Sequence, residues 1–308
     1  NQNRKMHAIE LRNITKSFDG YKAVDDLSLS VPRGSIYGFI GPNGSGKTTT
    51  LRMIMNILFP ESGEIYLSGR RSLASRLDQV GYLPEERGLY KKMKVGEILV
   101  FHGELKKCSN LKKEIDFWLE RFDLAERRKK KVETLSKGMS QKLQFIATII
   151  DRPEIIILDE PFSGLDPINA ELIKSVILEL QASGSTIIFS THDMYMAEKM
   201  CNYIFMIHKG QKVLDGTLAS IKEKYGADTI RIHAENGMEV LRSLDGIDKI
   251  NDFGQYQEVR LREDTDPQEV LKAVIEKTHV HRFEITQPSL QDIFIRIAAP
   301  GRKEVPHV

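Results

Sequence analysis

The sequence predicts an α/β protein of two domains: a largely parallel sheet broken by a helical insertion, followed by a smaller α+β domain. Three observations carry that prediction. Short β-rich runs alternate with helical segments over the first two thirds of the chain. Strand signals vanish between Lys94 and Asp151, where apolar residues recur every three to four positions. After Lys224 the elements read β-α-β-β-α-β. A length of 308 residues suits two domains of ordinary size.

Taken in order, residues 8–14, 35–40, 80–83, 155–158, 186–190 and 203–208 read as strands. Ile155-Ile156-Ile157-Leu158 and Thr186-Ile187-Ile188-Phe189 are nearly continuous apolar runs, as expected of strands covered on both faces, so they take the middle of the sheet. In the insertion, Ile98, Phe101 and Leu105, then Ile115, Trp118, Leu119 and Phe122, have the spacing of amphipathic helices. Beyond Lys224 come a strand at 229–233, a helix at 238–244 and a hairpin around Asn251-Asp252-Phe253-Gly254. Val259 and Leu261 then alternate with Arg260 and Arg262, a helix spans 267–277, and Phe283 and Ile285 alternate with Arg282 and Glu284. That order is the ferredoxin-like one. The expected domains are 7–224, with a helical subdomain at about 88–151, an accessory domain at 225–297, and a flexible polar tail at 298–308.

Composition narrows the partners. Lysine plus arginine number 45 against 43 aspartate plus glutamate, a net charge of +2, which is too even for the dense basic field of a nucleic-acid binder, and no nucleic acid is expected. Cys108 and Cys201 lie far apart and match no ligand spacing, which fits a reducing compartment and buried packing roles. No run approaches the roughly 18 apolar residues of a membrane helix. The polar, basic start of the chain does not read as a secretory signal.

The run 35–40 leads into Gly41-Pro42-Asn43-Gly44-Ser45-Gly46-Lys47-Thr48-Thr49, a G-x-x-x-x-G-K-[ST] pattern between a strand and a helix. Glycines there let backbone N–H groups turn onto the β- and γ-phosphates of a nucleotide. The helix adds the positive end of its dipole, Lys47 a point charge, and Thr48 a hydroxyl for Mg²⁺. The bland alternative is a glycine-rich turn.

Asp159 and Glu160 end the apolar strand 155–158 at the edge where open α/β sheets bind ligands. Adjacent strand residues point oppositely, so the two take different roles: Asp159 on Mg²⁺, and Glu160 aimed at the water that attacks the γ-phosphate. Alone, the pair would read as solvated carboxylates at a strand end; the phosphate loop reverses that.

Two further motifs bracket this strand: Leu135-Ser136-Lys137-Gly138-Met139-Ser140-Gln141 before it and Ser163-Gly164-Leu165-Asp166 after it, with Ser190-Thr191-His192-Asp193 following the next strand. With these in order, the chain resembles the ATP-binding subunit of ABC transporters over roughly residues 9–221, which implies a P-loop NTPase core of the ABC type. The resemblance implies ATP and Mg²⁺ as cofactors. It also implies two such subunits head to tail, each nucleotide held by one subunit's phosphate loop and the other's Ser136 and Gly138. Ser140 is expected to open a helix running to Ile150, which aims a second dipole end at the γ-phosphate; read alone, this segment is a capped helix start. His192 takes the family's switch position, contacting the γ-phosphate, and Phe18 the place of the aromatic that stacks on adenine, with Tyr21 a nearby rival. Lys47, Glu160 and His192 are thus the implied catalytic set. The bland readings are a structural histidine and a core aromatic.

Three departures from the family pattern stand out. Glu85, in Leu83-Pro84-Glu85-Glu86-Arg87-Gly88, replaces the usual glutamine; it still reaches Mg²⁺ or its waters while adding negative charge near the triphosphate. Lys137 and Met139 replace the commoner glycine and glutamine of the signature. The basic run Arg127-Arg128-Lys129-Lys130-Lys131 suggests acidic headgroups or nucleic acid at first sight, but is short and isolated and reads as a solvated loop.

The resemblance implies an ATP-driven motor at the cytoplasmic face of the membrane, moving separate permease subunits, with residues 85–90 and the helical insertion forming the docking groove. The ending Pro288-Ser289-Leu290-Gln291-Asp292-Ile293-Phe294 is similar to that of bacterial efflux ATPases for drugs, antibiotics or sodium. Two rivals are a soluble ABC ATPase of DNA repair or translation and a nucleotide-gated regulatory subunit without turnover. The first usually carries coiled coils or two cassettes; one phosphate loop and no extended heptads appear here. The Asp159-Glu160 pair argues against the second.

Overall fold

In the computed structural model, described over residues 7–71, 79–86, 88–225, 228–262 and 264–298, residues 7–32 build a hairpin. Strands β1 (His7–Phe18) and β2 (Tyr21–Pro32) pair antiparallel down to Phe18 opposite Tyr21. Asp19 and Gly20 close the turn with φ of 47° and 81°, the two-residue geometry whose twist matches the flanking strands. With β4 (Ser62–Leu67) and β5 (Arg70–Arg71) they form an antiparallel sheet of order β2-β1-β4-β5. The sequence reading placed only residues 8–14 of this sheet. Asp26 shows why, since its φ of 50° interrupts the alternation of β2 between Val24 and Leu27.

A second sheet has the order β10-β9-β3-β8-β7-β6, with β3 (Ile36–Ile40), β6 (Val80–Leu83), β7 (Ile155–Asp159), β8 (Thr186–Thr191), β9 (Tyr203–His208) and β10 (Gln211–Thr217). Strands β6 to β9 and β3 pair in parallel. Every residue of β3, β7 and β8 is buried, as their continuous apolar runs require. The core lies between the two sheets, where Ile9, Leu11 and Val24 join Phe39, Ile157 and Phe205 around helix α1 (Lys47–Ile54). Phe39 stacks on Phe205 at 5.1 Å, which fixes the strand that feeds the glycine loop.

The expected helical insertion is present as α2 (Val95–Leu105), α3 (Leu111–Arg121) and α4 (Lys137–Ile149). Helix α4 opens at Lys137 with Ser136 as its N-cap, so the start at Ser140 read from the sequence is corrected by one turn. A serine hydroxyl competes well for the orphan N–H groups of a first turn, and Ser136 accepts from Met139 N at 3.2 Å. Helices α5 (Pro167–Ala182) and α6 (Met194–Met200) are likewise capped by Asp166 and Asp193.

Residues up to Gly216 form one compact unit and those from Thr217 a second. The expected boundary at 224–225 differs by helix α7 (Leu218–Lys224), which falls in the second unit. After α7 come β11 (Thr229–Ala234), α8 (Gly237–Arg242), β12 (Ile247–Asp252), β13 (Gln257–Leu261), α9 (Pro267–Ile275), β14 (Val280–Thr286) and α10 (Leu290–Ala298). The sheet order is β12-β13-β11-β14 with antiparallel neighbours, the ferredoxin-like arrangement. Its core is Ile230, Ile232, Leu241, Val259, Leu261, Val270 and Val274. Helix α10 opens with reciprocal bonds between Ser289 and Asp292, and Arg296 holds Asp228 at 2.9 Å. Residues 1–6 and 299–308, on which the reading of the chain start and the flexible tail fall, lie outside the described residues, as does Arg87.

Candidate active site

The glycine loop leaves the buried end of β3 and returns as helix α1. Two of its glycines have no room for a side chain: a Cβ at Gly41 would meet Ile207 O at 2.2 Å, and one at Gly46, whose φ is 107°, would meet Ala23 O at 2.3 Å. Gly46 is also the N-cap of α1 and provides no side-chain cap, so the first-turn N–H groups stay available to an anion. Lys47 sits in the same turn, buried, with Nζ donating to the carbonyls of Gly41 at 2.8 Å and Pro42 at 3.2 Å. Asn43 and Gly44 are exposed at the loop tip, Thr48 and Thr49 half-buried, and the Ser45 hydroxyl is buried with no hydrogen-bond partner among the described residues.

Burial draws the Lys47 pKa down, and the charges of Glu160, Asp159 and Glu85 oppose that shift. All three carboxylates named in the sequence reading therefore stand within electrostatic reach of the loop lysine. Asp159 is buried, and its carboxyl pKa is raised by that burial and by Glu160, against hydrogen bonds from Ser190 and Thr48 and the charge of Lys47. Its Oδ1 accepts from the Ser190 hydroxyl, while Oδ2 has no hydrogen-bond partner among the described residues. Thr48 and Asp159 are thus an oxygen pair able to hold a hard cation. Glu85 is exposed on the loop after β6.

Glu160 turns away from the strand with φ at 50°, a left-handed backbone rarely adopted by a glutamate. Its N–H is tied to Ser190 O at 3.2 Å, and its Oε1 accepts both the backbone N–H of His192 at 3.0 Å and a contact from His192 Nδ1 at 2.8 Å. Among the described residues, Oε2 accepts only from the Thr191 hydroxyl, at 3.4 Å. The His192 side chain is 59% exposed, so it is no packing histidine. Phe18 is also exposed, at the tip of the β1–β2 hairpin, with Lys16 Nζ 5.4 Å above its ring. The core-aromatic alternative does not describe it.

Ser136 and Gly138 stand apart from this cluster. Ser136 caps its own helix, and a Cβ at Gly138 would find nothing nearer than Asn169 and Leu165 at 3.9 Å.

A relative from Bacillus subtilis, the uncharacterized ABC transporter ATP-binding protein YhaQ, is 41% identical over 289 residues, covering 93% of this chain and 97% of its own. The chain belongs to the ABC transporter ATP-binding proteins. Residues 24–163 of this ABC ATPase match the ABC transporter family, and residues 216–298 match the ATP-binding protein DrrA1-3-like C-terminal domain. The daunorubicin/doxorubicin resistance ATP-binding protein DrrA of Streptomyces peucetius is 30% identical over 306 residues, 94% of this chain and 92% of its own. A solved ATP-binding subunit of an ABC transporter superposes with a TM-score of 0.67 at 29% identity, over 71% of this chain and 93% of that one. The ABC ATPase is accordingly an ATP-binding, ATP-hydrolysing subunit of a transporter, on a P-loop fold.

Two residues the sequence reading left without a role support the site. Ser190 bonds both Asp159 and the Glu160 N–H, and Thr191 touches Glu160 and caps the Asp193 N–H at 3.0 Å. Their signal was the parallel register of β7 and β8, which sets Asp159 beside Ser190.

Proposed function

We propose that this ABC ATPase is the motor of an efflux transporter. Two copies, arranged head to tail, close around two Mg·ATP, and their opening and closing drive separate permease subunits from the cytoplasmic face of the membrane. The observation that carries the catalytic part is the convergence of Lys47, Asp159, Glu160 and His192 at one edge of β3, β7 and β8.

In this reading the N–H groups of the glycine loop and Lys47 receive the β- and γ-phosphates, while Phe18 stacks on adenine. The unpartnered Asp159 Oδ2 and the Thr48 hydroxyl fit Mg²⁺, and Glu85 reaches the ion or its waters. When bound there, Mg²⁺ neutralises charge on the phosphate oxygens. Glu160 Oε1 is committed to His192, which leaves Oε2 to take the proton of the attacking water. With Nδ1 donating to Glu160, a proton on Nε2 makes the exposed His192 ring a donor to the γ-phosphate.

Ser136 and Gly138 act on the partner's nucleotide. The absence of any close contact at Gly138 supports that role: a Cβ there would meet Asn169 and Leu165 only at an ordinary 3.9 Å, so its missing side chain answers no packing need within its own chain. No helix among the described residues is long and apolar enough to cross a membrane, so the pore belongs to other subunits, which dock at residues 85–90 and the helical insertion. Efflux is favoured by the similarity to the daunorubicin/doxorubicin resistance protein DrrA and by the match of the C-terminal domain. Phosphate release by the purified chain, combined with isolation of its native complex, tests the proposal. A polytopic membrane protein in the complex is expected; DNA or ribosomes in its place would overturn it.

A further inference from the structure

The helical insertion brings two basic segments of the sequence side by side. Lys94 pairs with Lys131 in an antiparallel bridge, and the backbone continues the contact on both sides: Val95 N donates to Lys130 O at 3.0 Å, Gly96 N to Arg128 O at 2.9 Å, Val132 N to Met93 O at 2.9 Å, and Glu133 N to Lys91 O at 3.0 Å. The solvated loop expected from the sequence is therefore half of a backbone-stapled ridge. Like charges set opposite each other on a ladder oppose its formation. Lys94, Arg128 and Lys131 have partners in Glu97, Asp116 and Glu133. Lys91, Lys92, Arg127, Lys129 and Lys130 have no carboxylate within salt-bridge distance among the described residues, and all five are exposed. Glu104 and Glu126 flank the ridge and reduce but do not cancel this excess. One groove beside it is lined by Lys94, Arg128 and Lys129 together with Glu97, Glu104, Val100 and Phe101, which sets apolar side chains next to the cations and two carboxylates.

We infer that this ridge binds the anionic phospholipid headgroups of the membrane surface. Folding gathers the cations at an electrostatic cost and leaves five of the eight without a salt-bridge partner among the described residues, so the compensating anion for that excess is external. A chain whose total charge is nearly balanced lacks the extended field of a polynucleotide binder, whereas a short cluster of lysines suffices for an acidic bilayer, each contributing separately to adsorption. Exposed Phe101 and Val100 add apolar contact at headgroup depth. The choice of lipid rests on the proposed placement at a membrane, but the surface is separate from the catalytic residues and can fail by itself.

The test is co-sedimentation of the full chain, without permease, on vesicles of phosphatidylcholine alone or mixed with phosphatidylserine. Binding is expected only to the mixed vesicles and is suppressed by high salt. The combined variant Lys91→Ala/Lys129→Ala/Lys130→Ala should partition about a hundredfold more weakly, at about fivefold per cation. Its phosphate release in solution should stay at the wild-type level, which separates loss of the ridge from loss of the fold or of the proposed ATPase site. The matched variant Arg242→Ala/Lys272→Ala/Lys277→Ala, placed in the second unit, should bind like wild type. Equal binding to both vesicle types, or undiminished binding by the ridge variant, overturns the inference. Binding that requires permease in the vesicle also overturns it and assigns the ridge to an acidic segment of that partner.

Discussion

Glu160 Oε1 lies 2.8 Å from His192 Nδ1 and also accepts the His192 backbone N–H, so one carboxylate oxygen fixes both the position and the ring orientation of the next strand's histidine. Glu160→Gln keeps the shape but lacks the second lone-pair-bearing oxygen and the basicity. Turnover should fall by roughly 10²- to 10⁴-fold with ATP affinity retained, and an ATP-trapped dimer should be seen by light scattering. Near-normal phosphate release would remove Glu160 from the mechanism.

Lys47 is the fixed cation of the glycine loop, and its ammonium is already desolvated among backbone carbonyls. Lys47→Ala should abolish measurable Mg·ATP binding in calorimetry, because no other loop side chain offsets the phosphate charge. Unchanged affinity would show that the nucleotide binds elsewhere.

Asp159 predicts a stability effect of the opposite sign to its effect on function. Burial raises its pKa above the ordinary value, so ionisation opposes folding: the penalty is absent at a pH below the ordinary carboxylate range and grows as pH rises through the raised value. Asp159→Asn should therefore melt higher than wild type at neutral pH without nucleotide, by about 2–4 °C, and the gap should close on acidification. The same variant should lose Mg²⁺-dependent ATP binding. A lower melting point at neutral pH would contradict the burial argument.

Gly46 and Gly138 separate packing from function. Gly46→Ala forces a Cβ onto Ala23 O at a left-handed backbone and should lower the melting temperature and the ATP affinity together. Gly138→Ala makes only ordinary contacts in the first turn of α4, so its melting temperature should equal or exceed that of wild type while ATPase activity drops at least about tenfold, if the partner's phosphates approach there. Full activity of Gly138→Ala would argue against a nucleotide shared across the dimer.

Glu85→Gln restores the residue usual in the family. Removing an exposed carboxylate within reach of Lys47 should tighten Mg·ATP by on the order of fivefold at most. Stimulation of ATPase activity by the permease in lipid should change more than the basal rate. Equal stimulation of both proteins would make Glu85 a passive substitution.

The phosphate loop, the Asp159-Glu160 strand end and the β-α-β-β-α-β order of the second unit were legible because each depends on local pattern: glycines where Cβ atoms collide, buried runs, and period-two alternation. Most of the antiparallel sheet was not. Its strand β2 carries Asp25 and Asp26 at a kink, and β4 shows only Ile65 and Leu67 as buried apolar residues. The start of α4 was misplaced because Ser136 and Ser140 are both plausible caps, and only the Met139 N–H decides between them. Ser190 was invisible as a site residue because its partner Asp159 is 31 positions away and becomes a neighbour only through strand register.

The left-handed backbone of Glu160 has a consequence for protein engineering. Glycine or asparagine rests comfortably at a φ of 50°, and either would relieve on the order of 1 kcal/mol there while discarding the carboxylate. A library ranked by heat resistance alone would therefore accumulate position-160 replacements that are sturdier and inert, since the screen rewards the backbone and never consults the side chain. Thermostable descendants of this protein are best chosen by requiring phosphate release at each round, with residue 160 held fixed.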